Sequence, residues 1–260
     1  FDPDANITRA EFAAICARFD KSGVKADSNF TDISGHWAED AIERAATLGW
    51  IRGYTDGTFG PSRSMTRAEA AAIFARLLAE KNGDTISTAA NTKFADIPAH
   101  AWYSGYVKYL SNNGITYGKS KTIFAPNDAI TRAEFTTMAV RFFDVYGDGD
   151  AEIMEQFSGF NDVSSGYWAA KYIKYAALHG WINGYGDGSF HAEREINRAE
   201  VVTIVNRLLG READEDYIAD NLRKLNTFPD VSRKHWAYYA VMEAANAHTA
   251  VLGESESWSK

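Results

Sequence analysis

Ile7-Thr8-Arg9-Ala10-Glu11, Met65-Thr66-Arg67-Ala68-Glu69, Ile130-Thr131-Arg132-Ala133-Glu134 and Ile196-Asn197-Arg198-Ala199-Glu200 are four near-copies of one pentapeptide in a chain of 260 residues. Each copy opens an Ala-rich apolar stretch of helical period, ending near Arg18-Phe19, Leu77-Leu78, Phe142-Phe143 and Leu208-Leu209. A recurrence this long decides the architecture before any other signal: the chain is a helical repeat protein.

The residues of the pentapeptide divide into two jobs. Thr or Asn followed three positions later by Glu is a capping box: the first side chain accepts from the N3 amide, and the Glu reaches back to the cap residue's own amide. The arginine is the odd member, because a cation at the first helical position meets the positive end of the helix dipole. Two accounts explain its recurrence. One is an ion pair with a carboxylate from a neighbouring repeat. The other is an anionic ligand, since helix N-termini offer free amides and Arg adds a planar fork for carboxylate or phosphate.

A second element recurs between the boxes: Phe30-Thr31-Asp32, Phe94-Ala95-Asp96, Phe160-Asn161-Asp162 and Phe228-Pro229-Asp230, leading to Trp37, Trp102, Trp168 and Trp236. Each starts another helix, with apolar positions such as Trp37, Ala41, Ala45 and Leu48, or Trp168, Tyr172 and Ala176. These tryptophans either line a groove by stacking or form the buried staple of a helix pair. Gly49 and Gly180 are placed to end this helix in the left-handed conformation. Gly53-Tyr54-Thr55-Asp56-Gly57 and Gly184-Tyr185-Gly186-Asp187-Gly188 follow, and their Asp-Gly pairs suit a tight two-residue reversal.

The linked motifs resemble the S-layer homology family: Phe-x-Asp with His-Trp-Ala, then Gly-Tyr-x-Asp-Gly-x-Phe-x-Pro, then Ile-Thr-Arg-Ala-Glu. The likeness covers nearly the whole chain. It implies an all-α body of tandem helical repeats in a pseudo-threefold, three-pronged arrangement, with short turn and extended segments. The segments expected are a second half-repeat at 1–29, repeats at 30–93, 94–159 and 160–227, and a first half-repeat at 228–260. The resemblance also implies a non-enzymatic module on the bacterial surface, anchored non-covalently to anionic secondary cell wall polysaccharide, commonly through pyruvylated N-acetylmannosamine. The motif arginine is implicated in holding the pyruvate ketal. Carried over by position, that role falls to Arg67, Arg132, Arg9 and Arg198. Tyr54 and Tyr185 stand on glycine turns within reach of a ligand, Gly53 and Gly184 would let the backbone approach the sugar, and Trp37, Trp102 and Trp168 are candidate stacking platforms. The rival reading is a self-assembly module, in which the same arginines contact other S-layer proteins.

Composition narrows the alternatives. A net charge of −8 without a basic stripe argues against nucleic acid and against electrostatic attachment to anionic lipid. No apolar run is long enough to span a bilayer. The single cysteine, Cys16, excludes an internal disulfide, and its place in an apolar helix reads as a small buried hydrophobe. Phe1-Asp2-Pro3-Asp4 matches Phe124-Ala125-Pro126-Asn127, so the sequence starts inside a repeat and is expected to be a piece of something longer. No His-Glu-x-x-His or Gly-x-Ser-x-Gly pattern supports catalysis, and no cofactor is called for.

The copies are unequal. The middle repeat reads Gly114-Ile115-Thr116-Tyr117-Gly118-Lys119, without the Asp-Gly turn. The third carries Glu193 and Glu195 near Arg198, which could neutralise that arginine. The expectation is therefore that Arg67 belongs to the strongest groove and Arg198 to the weakest. Asp144 to Glu155 has carboxylates at calcium-loop spacing, but Tyr146 stands where a short oxygen ligand is needed, so a polar helix-ending loop is the better reading and calcium the alternative.

Overall fold

The computed structural model describes residues 1–17, 29–87, 89–143, 159–208, 211–246, 249–252 and 256–259. Expectations for the Asp144–Glu155 loop and for the Cys16 side chain fall outside what is described. The chain forms two compact units, one of Ile7–Ile130 and one of Phe1–Asn6 with Thr131–Lys260.

Helices dominate. In chain order they are α1 (Arg9–Ala17), α2 (Glu39–Thr47), α3 (Arg67–Asn82), α4 (Ser104–Asn112), α5 (Arg132–Phe142), α6 (Ala170–Leu178), α7 (Arg198–Leu208), α8 (Glu215–Asn221) with a 3₁₀ turn at Leu222–Lys224, and α9 (Tyr238–Ala245). A C-terminal antiparallel hairpin of β1 (Thr249–Leu252) and β2 (Glu256–Ser259) is added to a body that is helical, as the all-α expectation has it. Its Trp258 is buried beside Tyr217 and joins a cluster with Ile218, Val231, Val241 and Met242. The Trp258 N–H donates to Asp214, whose carboxylate also caps α8 through Tyr217 N–H. The two backbone donors hold the Asp214 carboxyl below its usual range, against the opposing effect of burial.

Every box starts its helix as a reciprocal cap. The amides of Thr8, Thr66, Thr131 and Asn197 donate to Glu11, Glu69, Glu134 and Glu200 at 2.9, 2.8, 3.1 and 3.1 Å. The glutamate amides donate back to the cap side chains at 2.9–3.3 Å. Each cap is worth about 0.5–2 kcal/mol. The next two amides are not free. Arg9 and Ala10 donate to the carbonyls of Arg63 and Pro61, and Arg67 and Ala68 to Asp128 and Pro126. Arg132 and Ala133 donate to Arg194 and Ala192, and Arg198 and Ala199 to Ala5 and Pro3. A loop from a neighbouring box thus seals each helix start.

Tertiary packing crosses the sequence repeat. Each box helix lies on the Trp-motif helix of the following repeat: α1 on α2, α3 on α4, α5 on α6 and α7 on α9. On α2 the buried line is Ala38, Ile42 and Ala45, so the apolar face is one residue out of phase with the line through Trp37 and Ala41. Trp37 precedes the helix, which starts at Glu39, and its side chain leaves the core while Ala38 enters it.

The Phe-x-Asp motif has a role beyond starting a helix. Asp32 accepts from the amides of Phe59 and Gly60, both at 2.7 Å. Asp96 holds Phe124 and Ala125, and Asp162 holds Phe190 and His191. The two phenylalanines of each motif meet at 5.2–5.5 Å, as Phe30–Phe59, Phe94–Phe124 and Phe160–Phe190. The terminal half-repeats make the same clamp: Asp230 accepts from the backbone nitrogens of Phe1 and Asp2, and Phe1 packs on Phe228 at 5.3 Å. Residues 1–6 therefore complete the 228–246 half-repeat within one chain and one unit.

Gly49, Gly114 and Gly180 end their helices at φ +68°, +74° and +67°, the left-handed conformation expected of a helix stop. The Asp-Gly turn is one residue longer than a two-residue reversal. Tyr54 N–H donates to Thr58 O at 2.7 Å and Gly57 N–H to Tyr54 O at 3.2 Å, with Gly57 at φ +82°. Only one turn residue takes positive φ, which is the three-residue hairpin loop with a glycine bulge. Tyr185 to Ser189 repeats it.

Candidate functional site

The motif arginines are buried rather than presented. Arg9, Arg67 and Arg132 expose 3%, 4% and 2% of their surface, while Arg198 is half-buried. Arg9 pairs with Glu69 and Arg132 with Glu200, so the arginine of one box meets the glutamate of the next. The glutamate does two jobs at once, with one oxygen on the cap amide and the other on the guanidinium. Of the two accounts the sequence left open, the ion pair is thus in place at these two copies. The argument from free helix amides does not survive, because loop carbonyls already occupy them.

Arg9 also donates through Nε to Phe59 O at 2.8 Å and through Nη2 to Arg52 O at 2.7 Å. Arg67 Nε makes the equivalent bond to Phe124 O at 2.8 Å. Arg132 reaches Asn183 O at 3.1 Å and stands 4.3 Å from the centre of the Phe190 ring. Burial lowers the Arg9 and Arg132 pKa, a pull opposed by Tyr54 and Tyr185 and reinforced by the charges of Arg63 and Arg194.

The surface face of these hubs is built from tyrosine and a second arginine. Over the Tyr54 ring stand Arg9 at 4.8 Å and Arg63 at 4.7 Å. Over Tyr185 stand Arg132 at 5.0 Å and Arg194 at 5.5 Å, and Arg194 donates to the Tyr185 hydroxyl at 3.1 Å. Arg63 and Arg194 are exposed. Sequence reasoning missed them, although both lie four residues after the clamped phenylalanines Phe59 and Phe190. What the arrangement can do chemically is present an exposed guanidinium stacked on a tyrosine, a donor set suited to an anion.

The remaining expected site residues are placed as follows. Trp37 and Trp168 are 67% and 51% exposed, and Trp236 is exposed as well, so none of them is a buried staple. Trp102 is half-buried, edge-on to Tyr103 and Tyr106. Gly53 and Gly184 do not leave room for a sugar. A Cβ at either would collide with Phe30 or Phe160 of the same repeat, so their lack of a side chain serves internal packing. Glu193 accepts from the Tyr167 hydroxyl at 2.5 Å, and Glu195 accepts from Asn6 at 2.9 Å. Burial, with Glu193 assisting, raises the Tyr167 pKa.

Beside Tyr185, Ser189 Oγ lies 3.0 Å from His191 Nε2, and His191 Nδ1 lies 3.7 Å from Asp162. This has the residue types of a nucleophilic relay but not its function. Ser189 is buried and donates its hydroxyl proton to Asp187 at 2.6 Å, as Thr58 does to Asp56.

The model of the S-layer homology domain matches residues 29–71, 93–136 and 159–202. The chain belongs to the S-layer homology domain family. Among similar proteins, Cell surface glycoprotein 1 of Acetivibrio thermocellus is 34% identical over 215 residues, covering 80% of this chain and 9% of that protein. The Cellulosome-anchoring protein of the same organism is 31% identical, covering 79% of this chain and 44% of that protein. S-layer protein EA1 of Bacillus anthracis is 28% identical, covering 80% and 24%. The S-layer homology chain thus spans less than half the length of each. Enzymes also carry such segments: Exoglucanase XynX of Acetivibrio thermocellus is 34% identical over 72% of this chain and 17% of that protein. No described helix is long and apolar enough to cross a membrane.

Proposed function

We propose that this S-layer homology chain is a non-covalent anchoring module of the bacterial cell surface, binding anionic secondary cell wall polysaccharide of the pyruvylated N-acetylmannosamine type. The observation that carries the reading is the repeated Tyr54–Arg63 and Tyr185–Arg194 pair, each seated on a buried motif arginine. The ketal carboxylate takes a charge-assisted hydrogen bond from the exposed guanidinium, which the tyrosine ring holds in place, while the sugar packs along the exposed edge of that pair. Trp37 and Trp168, both exposed, extend the aromatic surface available to a glycan. The buried arginine supports this platform from beneath, through its Glu and the backbone carbonyls. Relatives named for anchoring and for S-layers support the same reading, and catalysis, where a longer polypeptide has it, belongs to other segments.

The test separates anchoring from self-assembly. Purified wall polysaccharide is titrated into the chain while light scattering follows its association state. Saturable polysaccharide binding by a monomer supports anchoring. Self-association that polysaccharide neither causes nor alters, with no saturable binding, would overturn it in favour of an assembly module.

A further inference from the structure

Asn-Gly is the dipeptide in which an asparagine side chain is most open to attack by its own backbone, because glycine brings no side chain to hinder the approach of its amide nitrogen. The chain has three: Asn82-Gly83, Asn113-Gly114 and Asn183-Gly184. All three asparagines are exposed. Two of them are tied down. Asn82 is the last residue of α3, in helical backbone, and its Nδ2 donates to the Tyr109 hydroxyl at 3.3 Å. Asn113 caps the end of α4: its Nδ2 donates to Tyr109 O at 2.9 Å, and the Gly114 amide donates to Ser111 O at 3.4 Å. The chemically related Asp56-Gly57 and Asp187-Gly188 are also held, each carboxylate by the amide and hydroxyl of Thr58 or Ser189 and each glycine amide by a tyrosine carbonyl. Asn183 lies in loop backbone, and among the described residues neither its side-chain amide nor the Gly184 N–H has a hydrogen-bond partner.

We infer that Asn183-Gly184 is a site of spontaneous covalent modification, deamidation through a cyclic imide, and that its isoaspartyl product turns an acceptor of Arg132 into a carboxylate. The Gly184 nitrogen attacks Asn183 Cγ and loses its proton as that C–N bond forms. The Cγ–Nδ2 bond breaks and ammonia leaves, closing a succinimide. Water then opens the ring. Addition at Cγ restores the main chain as an aspartyl residue. Addition at the former main-chain carbonyl breaks its bond to Gly184, so the chain runs through Cβ and Cγ and that carbonyl carbon becomes a free carboxylate. Nothing is oxidised or reduced, and water is the only co-reactant.

The position makes the second product consequential. The carbonyl that becomes the carboxylate is the one that Arg132 Nη2 holds at 3.1 Å. Arg132 is already paired with the buried Glu200, so a second carboxylate meets a like charge there. The extra backbone carbon also has no room. Gly184 is pressed against Phe160 and the Ser189 carbonyl, and the Tyr185 amide just beyond is fixed to that carbonyl at 2.8 Å. At the Arg9 hub the carbonyl that the arginine holds belongs to Arg52, whose side chain cannot cyclise in this way. Of these two hubs, only that of Arg132 ages. None of this depends on what the surface binds.

The experiment is ageing of the whole chain in warm, mildly alkaline buffer, beside a urea-unfolded sample, with peptide mapping by mass spectrometry and enzymatic methylation of isoaspartyl residues. In the folded chain Asn183 converts about tenfold or more faster than Asn82 and Asn113, the factor that corresponds to one or two ordinary hydrogen bonds that need not be broken first. In urea the three rates converge. The melting temperature falls in step with the isoaspartyl fraction, while Asn183→Gln, aged alike, keeps its melting curve. Freshly purified Asn183→Asp retains the carbonyl for Arg132 and melts close to wild type. Conversion of Asn82 or Asn113 as fast as Asn183 in the folded chain overturns the site, and so does an Asn183 that survives folded but converts in urea. A melting curve that does not move as isoaspartate accumulates overturns the consequence for Arg132, as does a fresh Asn183→Asp that loses as much stability as the aged chain. Should either variant fail to fold, the map and melting curve of the ageing wild-type chain decide alone.

Discussion

Arg132→Met should destabilise the unit of Phe1–Asn6 with Thr131–Lys260 strongly, so that it is a poor reporter of any ligand contact. The substitution keeps the aliphatic stem over Phe190 but removes the charge opposite Glu200, whose side chain is 3% exposed. It leaves a buried carboxylate with the Asn197 amide, and it removes the donor to the Asn183 carbonyl. Removing one partner of a buried ion pair destabilises by about 3–5 kcal/mol. At about 2–4 °C per kcal/mol, that lowers the melting temperature by roughly 6–20 °C. Glu200→Gln keeps an acceptor for the cap but strands the buried guanidinium, and it should be similarly damaging. The double variant leaves no unpaired charge and should recover part of the loss, with an interaction energy of roughly 2–3 kcal/mol. The assay is urea denaturation of all four proteins followed by circular dichroism. Single variants within about 0.5 kcal/mol of wild type, or losses that simply add, would refute the claim that the motif arginine is an internal strut. The same logic means that loss of polysaccharide binding in an arginine-to-alanine variant of the motif is not by itself proof of a ligand contact.

Other outcomes follow from the same geometry. Gly53→Ala places a methyl group against Phe30 and the Thr58 carbonyl, and should cost about 1–3 kcal/mol in a denaturant titration, where a glycine kept for ligand approach would tolerate it. Trp37→Ala and Trp168→Ala should leave the melting temperature within experimental error while weakening polysaccharide binding, since both rings are largely exposed; a large drop in stability would place them in the core. Burial pushes the Asp162 carboxyl up, but the Phe190 and His191 amides and the His191 ring outweigh it and the net shift is downward. A carboxylate lowered in the folded state contributes stability that is complete above its unfolded value of about 3.9 and is lost as pH falls through the lower folded value. Asp162→Asn should therefore flatten the acid limb of the stability profile below about pH 4, measured by thermal melts across pH; an unchanged acid limb would remove the clamp from the account.

The repeat, the reciprocal caps and the glycine stops at Gly49 and Gly180 were all legible in the sequence, because each is a local device whose partners lie within a few residues. What was not legible depends on which segments meet. The pairing of Arg9 with Glu69 requires that one box abut the next, and no spacing within a box announces it. The helix-start amides looked free because their acceptors, such as the Pro61 and Arg63 carbonyls, come from a loop more than fifty residues away in sequence. The tryptophan phase was misjudged by one residue: Trp37 and Ala38 are both apolar, and only the start of α2 at Glu39 decides which of them turns inward. Arg63 and Arg194 left a signal, a cation at a fixed offset from Phe59 and Phe190, but it becomes readable only when their tyrosines are seen beside them. The strands at 249–252 and 256–259 have no strong alternation to mark them, and the described anchor of the second is the buried Trp258, whose amide donates to Asp214.

The central claim, that the module recognises the negative charge of a wall glycan, is tested most directly by co-sedimentation with purified cell-wall sacculi before and after mild acid removal of their pyruvate ketals. The account predicts saturable binding to the native sacculi and its loss once the ketals are gone. Equal binding to both preparations would contradict it.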